Sequence, residues 1–245
     1  MSFIKQLESE KKTLIGMIHL AGNDADMRLT QAIEEIDLLY NNGFDAVLVE
    51  NYHGDVSDMR NALEYLRTKY PRKNYGLNVL GDYEAGFELA RTYNAGFLQI
   101  DSVAGHLPPE QDLEYEHELN KLRIQTPNPI LLGGVHFKYQ PHLSGRGLNE
   151  DLVIGGERAE TIVVSGPATG EPCDVERLKV FRDGIGLVPL ILGSGLTPSN
   201  FEEQMEYCDG AIVGTSIKEG DNTQNPIELN RVKEIVRVRD SFGKK

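Results

Sequence analysis

Tryptophan is absent from the 245 residues, which removes any tryptophan-based binding surface. Cysteine is scarce, with Cys173 and Cys208 standing alone. Two cysteines are too few for a disulfide scaffold, and they lack the spacing of a structural zinc site. No window approaches the ~18 consecutive apolar residues of a spanning helix. The N-terminal MSFIKQLESEKK is polar, unlike a signal peptide, so the expected compartment is the cytoplasm. Positive charge is also short: 25 basic residues face 38 acidic ones, a formal charge of −13. A nucleic-acid surface needs a basic patch. Basic residues concentrate only at Lys11-Lys12, Arg67–Lys73 and Lys244-Lys245. Neither nucleic acid nor membrane insertion is therefore expected, while a phosphorylated small molecule remains compatible.

What is present is a rhythm. Hydrophobic residues at 40% and charged residues at 26% are those of a folded globular chain, so long disorder is not expected. Eight short apolar runs occur at Leu14–Leu20, Phe44–Glu50, Tyr75–Leu80, Phe97–Asp101, Ile130–Phe137, Thr161–Ser165, Val188–Leu192 and Gly210–Gly214. Most are continuous rather than alternating, as in strands buried on both faces of a parallel sheet. Helical patterns follow them at Met27–Asn41, Asp55–Lys69, Tyr83–Asn94, Pro109–Arg123, Asp174–Asp183, Pro198–Tyr207 and Pro226–Asp240. Only a short pattern, Leu148–Ile154, separates runs five and six. Gly43 and Gly96 stand where a left-handed residue commonly ends a helix. Thr197-Pro198 reads as an N-cap followed by proline at the first helical position.

Eight βα units in this length predict an α/β fold, the (β/α)₈ TIM barrel, as one domain over residues 1–245. The rival open sheet usually carries a glycine fingerprint after its first strand, and MIHLAGND is not one.

Barrel enzymes build their sites at the carboxyl ends of the strands. The candidates there are His19, Glu50, Asn78, Asp101, His136 and Lys138. His136 and Lys138 are two apart, so an extended chain would point both the same way. Lys138 would form a Schiff base or hold a phosphate or carboxylate, unless it has already left the strand for solvent. His19 reads as base, acid, metal ligand or a histidine satisfied by a carbonyl. Glu50 closes an apolar strand, where an unpartnered carboxylate is costly, and is the best candidate base. Asn78 would orient a substrate hydroxyl or simply cap a loop. His19, Glu50, Asp101 and His136 include donor types for a divalent metal, but their spacing is not local and no metal site is assigned.

Run seven leads into Gly193-Ser194-Gly195-Leu196-Thr197-Pro198-Ser199, and run eight into Gly214-Thr215-Ser216. Glycines let backbone N–H groups approach an anion, and the loops after strands seven and eight are the frequent phosphate cradle of this fold. The alternative is that they are tight turns only. Ser165–Gly170 forms a glycine-bearing loop that would serve as a lid or as a plain connection, and its Gly166 joins the phosphate-binding candidates. Cys173 and Cys208 read as inert.

Several segments together resemble the BtpA family, also called SgcQ-like or photosystem I biogenesis proteins. They are GMIHL, AVLVENYHGD, GLNVLGD, GVHFKY, VVSGPATGEP, GSGLTPSN and GAIVGTSIK, spread from about residue 13 to residue 240. The last two also resemble segments of ribulose-phosphate-binding barrels. That superfamily implies a phosphosugar-type site, with Gly193, Ser194, Gly195, Gly214, Thr215 and Ser216 matching its phosphate grip. Asp101 stands where members often have Asn, and Cys173 where proline is more usual. Gly155-Gly156-Glu157-Arg158 suggests a shortened or irregular fifth helix.

The expectation is an enzyme acting on a small phosphorylated sugar or related metabolite, by isomerisation, lyase chemistry or glycosyl transfer. The alternative is a non-catalytic assembly or regulatory factor that binds a phosphorylated effector. Apolar residues on outer helix faces are compatible with a homo-oligomer.

Overall fold

The computed structural model describes residues 3–243, so Lys244-Lys245 lies outside the described residues. Among those residues eight parallel strands close in sequence order, with β1 (Thr13–Ile18) paired to both β2 (Ala46–Glu50) and β8 (Gly210–Val213). The others are β3 (Asn74–Asn78), β4 (Phe97–Ala104), β5 (Ile130–Val135), β6 (Thr161–Val164) and β7 (Leu190–Leu192). This is the (β/α)₈ barrel that the run count predicts.

Strand alternation sorts every run into two cores. Ile15, Met17, Ala46, Leu48, Phe97, Leu132, Val163, Ile191 and Ile212 fill the barrel interior. The alternate residues, such as Leu14, Val47, Val49 and Leu98, pack under the surrounding helices. Both faces are apolar, which is why the runs read as continuous.

The barrel floor is closed by a helix that the sequence reading missed, α1 (Phe3–Leu7). Phe3 stacks on Phe97 with ring centroids 4.2 Å apart, and Leu7 is fully buried beside them. Five residues are too few to show a helical period. Gly76 makes the stacked arrangement possible, since a Cβ there would lie 2.2 Å from the Phe97 ring. Gly76→Ala is therefore expected to lower stability by about 1–3 kcal/mol through overpacking, read from the denaturant midpoint. An unchanged midpoint would mean that the floor can repack freely.

The helices are α2 (Ala25–Asn41), α3 (Val56–Lys69), α4 (Tyr83–Tyr93), α5 (Pro109–Gln125), α6 (Leu148–Arg158), α7 (Val175–Ile185), α8 (Phe201–Met205) and α9 (Leu229–Ser241). Three differ from expectation. Helix α6 does not stop at Ile154 but runs through Gly155-Gly156 to Arg158. A Cβ at Gly155 would lie 2.5 Å from Val135, so the glycine seats the helix on the barrel rather than breaking it. Helix α8 is shorter than Pro198–Tyr207. Its N-cap is Asn200, whose Oδ1 accepts from the Thr197 N–H at 2.8 Å. Helix α9 starts at Leu229 rather than Pro226, because Ile227 is held extended in an antiparallel bridge to Lys218, beyond two 3₁₀ turns at Thr215–Ile217 and Glu219–Asp221. Gly43 takes the expected positive φ of 95°, but before Gly96 it is Asn94 that turns left-handed, at φ 54°. No helix among the described residues is long and apolar enough to cross a membrane.

Candidate active site

The alternation that packs the interior also aims the last inward residue of each strand at the mouth. Above Ile15 and Met17 comes His19. Above Ala46 and Leu48 comes Glu50. Asn78 follows Gly76, and Phe97 is followed by Gln99 and Asp101. The mouth holds a cavity of about 130 Å³, and its wall includes His19, Glu50, Gln99, Asp101 and Lys138. Gly193, Ser194, Gly195, Gly214, Thr215 and Ser216 line the same cavity. One space therefore joins the candidate chemical residues to both glycine-bearing loops.

Asn78 sits just behind the wall and organises it. Its single Nδ2 donates to Glu50 Oε2 at 2.8 Å and to Asp101 Oδ1 at 2.9 Å. The two N–H groups of an amide diverge by about 120°, which sets the acceptor oxygens roughly 5 Å apart. Carboxylates at that distance repel, so one holds its proton more tightly. Burial is the larger cause: Glu50 is buried at the mouth, and its pKa is pushed from 4.5 to about 7 by burial and by Asp101. The Asn78 bond and the Lys138 charge oppose this shift. Gln99 Nε2 adds a third donor to the pair, reaching Asp101 Oδ1 at 3.2 Å.

His19 is buried, with its ring edge-on to Tyr52 at a centroid distance of 5.3 Å. Burial holds its pKa well below the ordinary value, helped by the charges of Lys218, His53 and Lys138. The imidazole is thus neutral near pH 7. Gly214 makes room for it, since a Cβ there would lie 2.8 Å from the ring. Among the described residues its Nδ1 and the Gln99 Oε1 are both buried without a hydrogen-bond partner.

His136 does not join this group. Strand β5 ends at Val135, and His136 takes a left-handed φ of 44°. That turn reverses the alternation. Phe137 moves to the interior, while His136 swings out behind the wall. There its Nε2 meets Asp151 Oδ2 at 2.7 Å, and its ring stacks on His142 at 4.1 Å. The expectation that His136 and Lys138 share a direction fails for this reason, since it holds only in an extended chain. Without His136 the four-residue metal set does not assemble. Among the described residues no group of three His, Cys, Asp or Glu could hold a metal ion.

Lys138 stays in the mouth. Its backbone N–H donates to Ser165 Oγ at 3.1 Å, and its Nζ lies 5.6 Å from the Phe137 ring centre. Burial lowers its pKa, although Glu50, Tyr139 and Asp101 oppose this.

The glycine-bearing loops lie on the opposite wall. Gly195 has φ 76°, and a Cβ on it would lie 2.2 Å from the Glu171 carbonyl oxygen. Only glycine lets the β6–α7 loop close on the β7 loop so tightly. Thr215 and Ser216 open a 3₁₀ turn, so their N–H groups have no carbonyl within the turn to bond. The Ser216 hydroxyl ties the two loops together by donating to the Leu196 carbonyl at 2.6 Å. Gly166 is outside the cavity wall, and its N–H is engaged with Ser194 Oγ at 3.3 Å. Its place is structural support for Ser194.

The Ser165–Gly170 loop roofs this side. The Thr169 N–H donates to the Tyr139 hydroxyl at 3.0 Å, and a Cβ on Gly170 would touch Thr215. Cys173 is buried, and burial pushes its thiol up to about 11, so it is no nucleophile near neutral pH.

Gln99, Tyr52 and Tyr139 line the cavity but are missing from the residues read in the sequence. Gln99 was accessible by the two-residue alternation from Asp101. Nothing local marks the two tyrosines, which depend on loop conformation.

The comparisons with known proteins agree with this architecture. An uncharacterized protein of Thermococcus kodakarensis is 33% identical, over 95% of this chain and 97% of its own. The photosystem I biogenesis protein BtpA of Synechocystis sp. is 25% identical, over 91% and 86%. Among solved structures, thiamine phosphate pyrophosphorylase from Pyrococcus furiosus superposes with a TM-score of 0.64. It covers 98% of both chains at 14% identity, a likeness of fold. The family model of BtpA matches residues 10–241, the span that contains every strand, both glycine loops and the Glu50–Asn78–Asp101 bridge, and the chain belongs to the BtpA family.

Proposed function

We propose that this protein is an enzyme acting on a small phosphorylated metabolite. The phosphate rests on the Gly193–Gly195 and Gly214–Ser216 loops, and Glu50 moves a proton at the other end of the substrate. The observation that carries this reading is a single cavity lined by both glycine loops and by the buried Glu50 carboxylate, whose pKa burial pushes up to about 7. A group titrating near the working pH serves as either acid or base. Loops after the last two strands of a barrel are its usual phosphate cradle. A neutral His19 and the Lys138 amine on the same cavity wall support this reading, since both polarise a bound carbonyl.

The test is a thermal-shift titration with inorganic phosphate and a panel of sugar phosphates. Thr215→Asp puts a negative charge in the first turn of the cradle at similar side-chain size. It is preferred to a substitution at Gly195, where any Cβ would disrupt the loop whatever its charge. The wild type should be stabilised by phosphate, with affinity falling at least ~10-fold in Thr215→Asp, the equivalent of about 1.4 kcal/mol. Equal shifts in both proteins would remove the phosphate reading.

The second reading is an assembly or regulatory factor, favoured by the name of the Synechocystis relative. It predicts that a variant able to bind ligand but unable to turn it over keeps its cellular role.

A further inference from the structure

Two lysines stand near the mouth, Lys138 half-buried and Lys218 fully buried, and the fold treats them differently. Lys218, fully buried, is committed: its Nζ bonds Glu35 Oε1 at 2.6 Å and the Asn225 carbonyl at 3.0 Å. Lys138 is left uncommitted. Among the described residues its Nζ has no carboxylate within ion-pair distance and no hydrogen-bond acceptor, only the face of Phe137. It projects into the cavity that also holds Glu50, Asp101 and the unpartnered Gln99 Oε1. A lysine kept solely for charge would be expected to pair with one of two nearby carboxylates. Here both carboxylates are instead held back by Asn78, and the amine stands free.

We propose that Lys138 condenses with the carbonyl carbon of an aldehyde or ketone substrate, forming an imine. This deepens the function proposed above and rests on its reading of the cavity as catalytic. The substrate class is a short hydroxy-carbonyl phosphate, with phosphate on the glycine loops and a hydroxyl donating to Gln99 Oε1. The neutral amine bonds to the carbonyl carbon while the C=O π pair moves to oxygen. One proton passes from nitrogen to that oxygen, giving the carbinolamine. Glu50, carrying the proton it took from the Lys138 ammonium when the amine became neutral, then gives that proton to the carbinolamine hydroxyl. The C–O bond breaks, water leaves, and the nitrogen lone pair completes the iminium. Burial of the amine favours its neutral, nucleophilic form. The iminium then withdraws electrons from the adjacent carbon, where Glu50 can take or return a proton.

Reductive trapping tests this without knowledge of the natural substrate. The full-length protein is treated near pH 7 with glycolaldehyde phosphate and sodium cyanoborohydride, and lysine adducts are mapped by peptide mass spectrometry. Lys138 should be modified at least ~10-fold faster than the exposed Lys121 and Lys233, as expected for a desolvated amine. Inorganic phosphate should slow that labelling, and Glu50→Gln should slow it too. Lys138→Arg should lose the fast adduct while keeping its circular dichroism and its thermal shift with phosphate. Labelling of Lys138 no faster than Lys121 would overturn the imine. If phosphate still stabilises the protein in that case, the binding reading survives and only the imine falls. If phosphate neither stabilises the protein nor slows a fast Lys138 adduct, the imine stands and the phosphate cradle falls.

Discussion

Replacing Glu50 by glutamine is expected to slow turnover by ~10²–10⁴-fold, the usual cost of losing a general acid–base. Glutamine matches the shape and can still accept from Asn78, so the cavity and the phosphate affinity should be preserved. The same substitution has a stability signature that needs no substrate. The Glu50 pKa is raised in the folded state, from 4.5 to about 7. Below the ordinary value both folded and unfolded chains hold the proton, and the contribution is fully present. Between the two values the unfolded chain releases its proton while the native one keeps it, so stability falls as pH rises. By pH 8 the loss is complete, on the order of 3 kcal/mol. Glu50→Gln carries no such slope. Its stability relative to the wild type should therefore improve between pH 5 and pH 8, measured by urea midpoints. Parallel profiles would mean that Glu50 is ionised throughout, and the proton-transfer role would fail with it.

The second large effect is expected away from the cavity. Glu35 on α2 is buried against Lys218, which directly follows the 3₁₀ turn carrying Thr215 and Ser216. Glu35→Ala leaves the Lys218 charge buried with only the Asn225 carbonyl. Breaking one side of such a pair costs about 3–5 kcal/mol. For a chain of this length that lowers Tm by roughly 6–20 °C. The double variant Glu35→Leu with Lys218→Met removes both charges and should recover most of the loss. Phosphate binding should weaken in Glu35→Ala, because the released Lys218 no longer fixes the turn beneath Thr215. If the single and double variants melt together, the ion pair is not what holds the turn.

Both effects depend on residues whose environment the linear pattern describes unequally. Glu50 was legible because an apolar strand ends in it, and alternation from Ala46 and Leu48 already aims it inward. Glu35 was not. In the helix it sits beside Glu34, and nothing local says which of the two faces Lys218 across 183 positions. His136 shows the opposite failure. Its spacing from Lys138 predicts a shared direction, but one left-handed residue reverses the parity. The backbone there obeys its surroundings: the interior takes Phe137, while Asp151 and His142 hold the imidazole outside.

The sequence alone determined the eight strands, their closure and the residues at most strand ends. Those features follow from local hydrophobic periodicity, which every strand repeats independently. It also determined the glycine loops, because close backbone approach leaves few other residues possible. Only the tertiary structure decided that Asn78 bridges Glu50 and Asp101, that Lys138 stays unpaired while Lys218 is buried in an ion pair, and that α1 plugs the floor. Each of those is a contact between distant segments, fixed by how closely packed elements exclude water and bring charges together. No spacing along the chain encodes that.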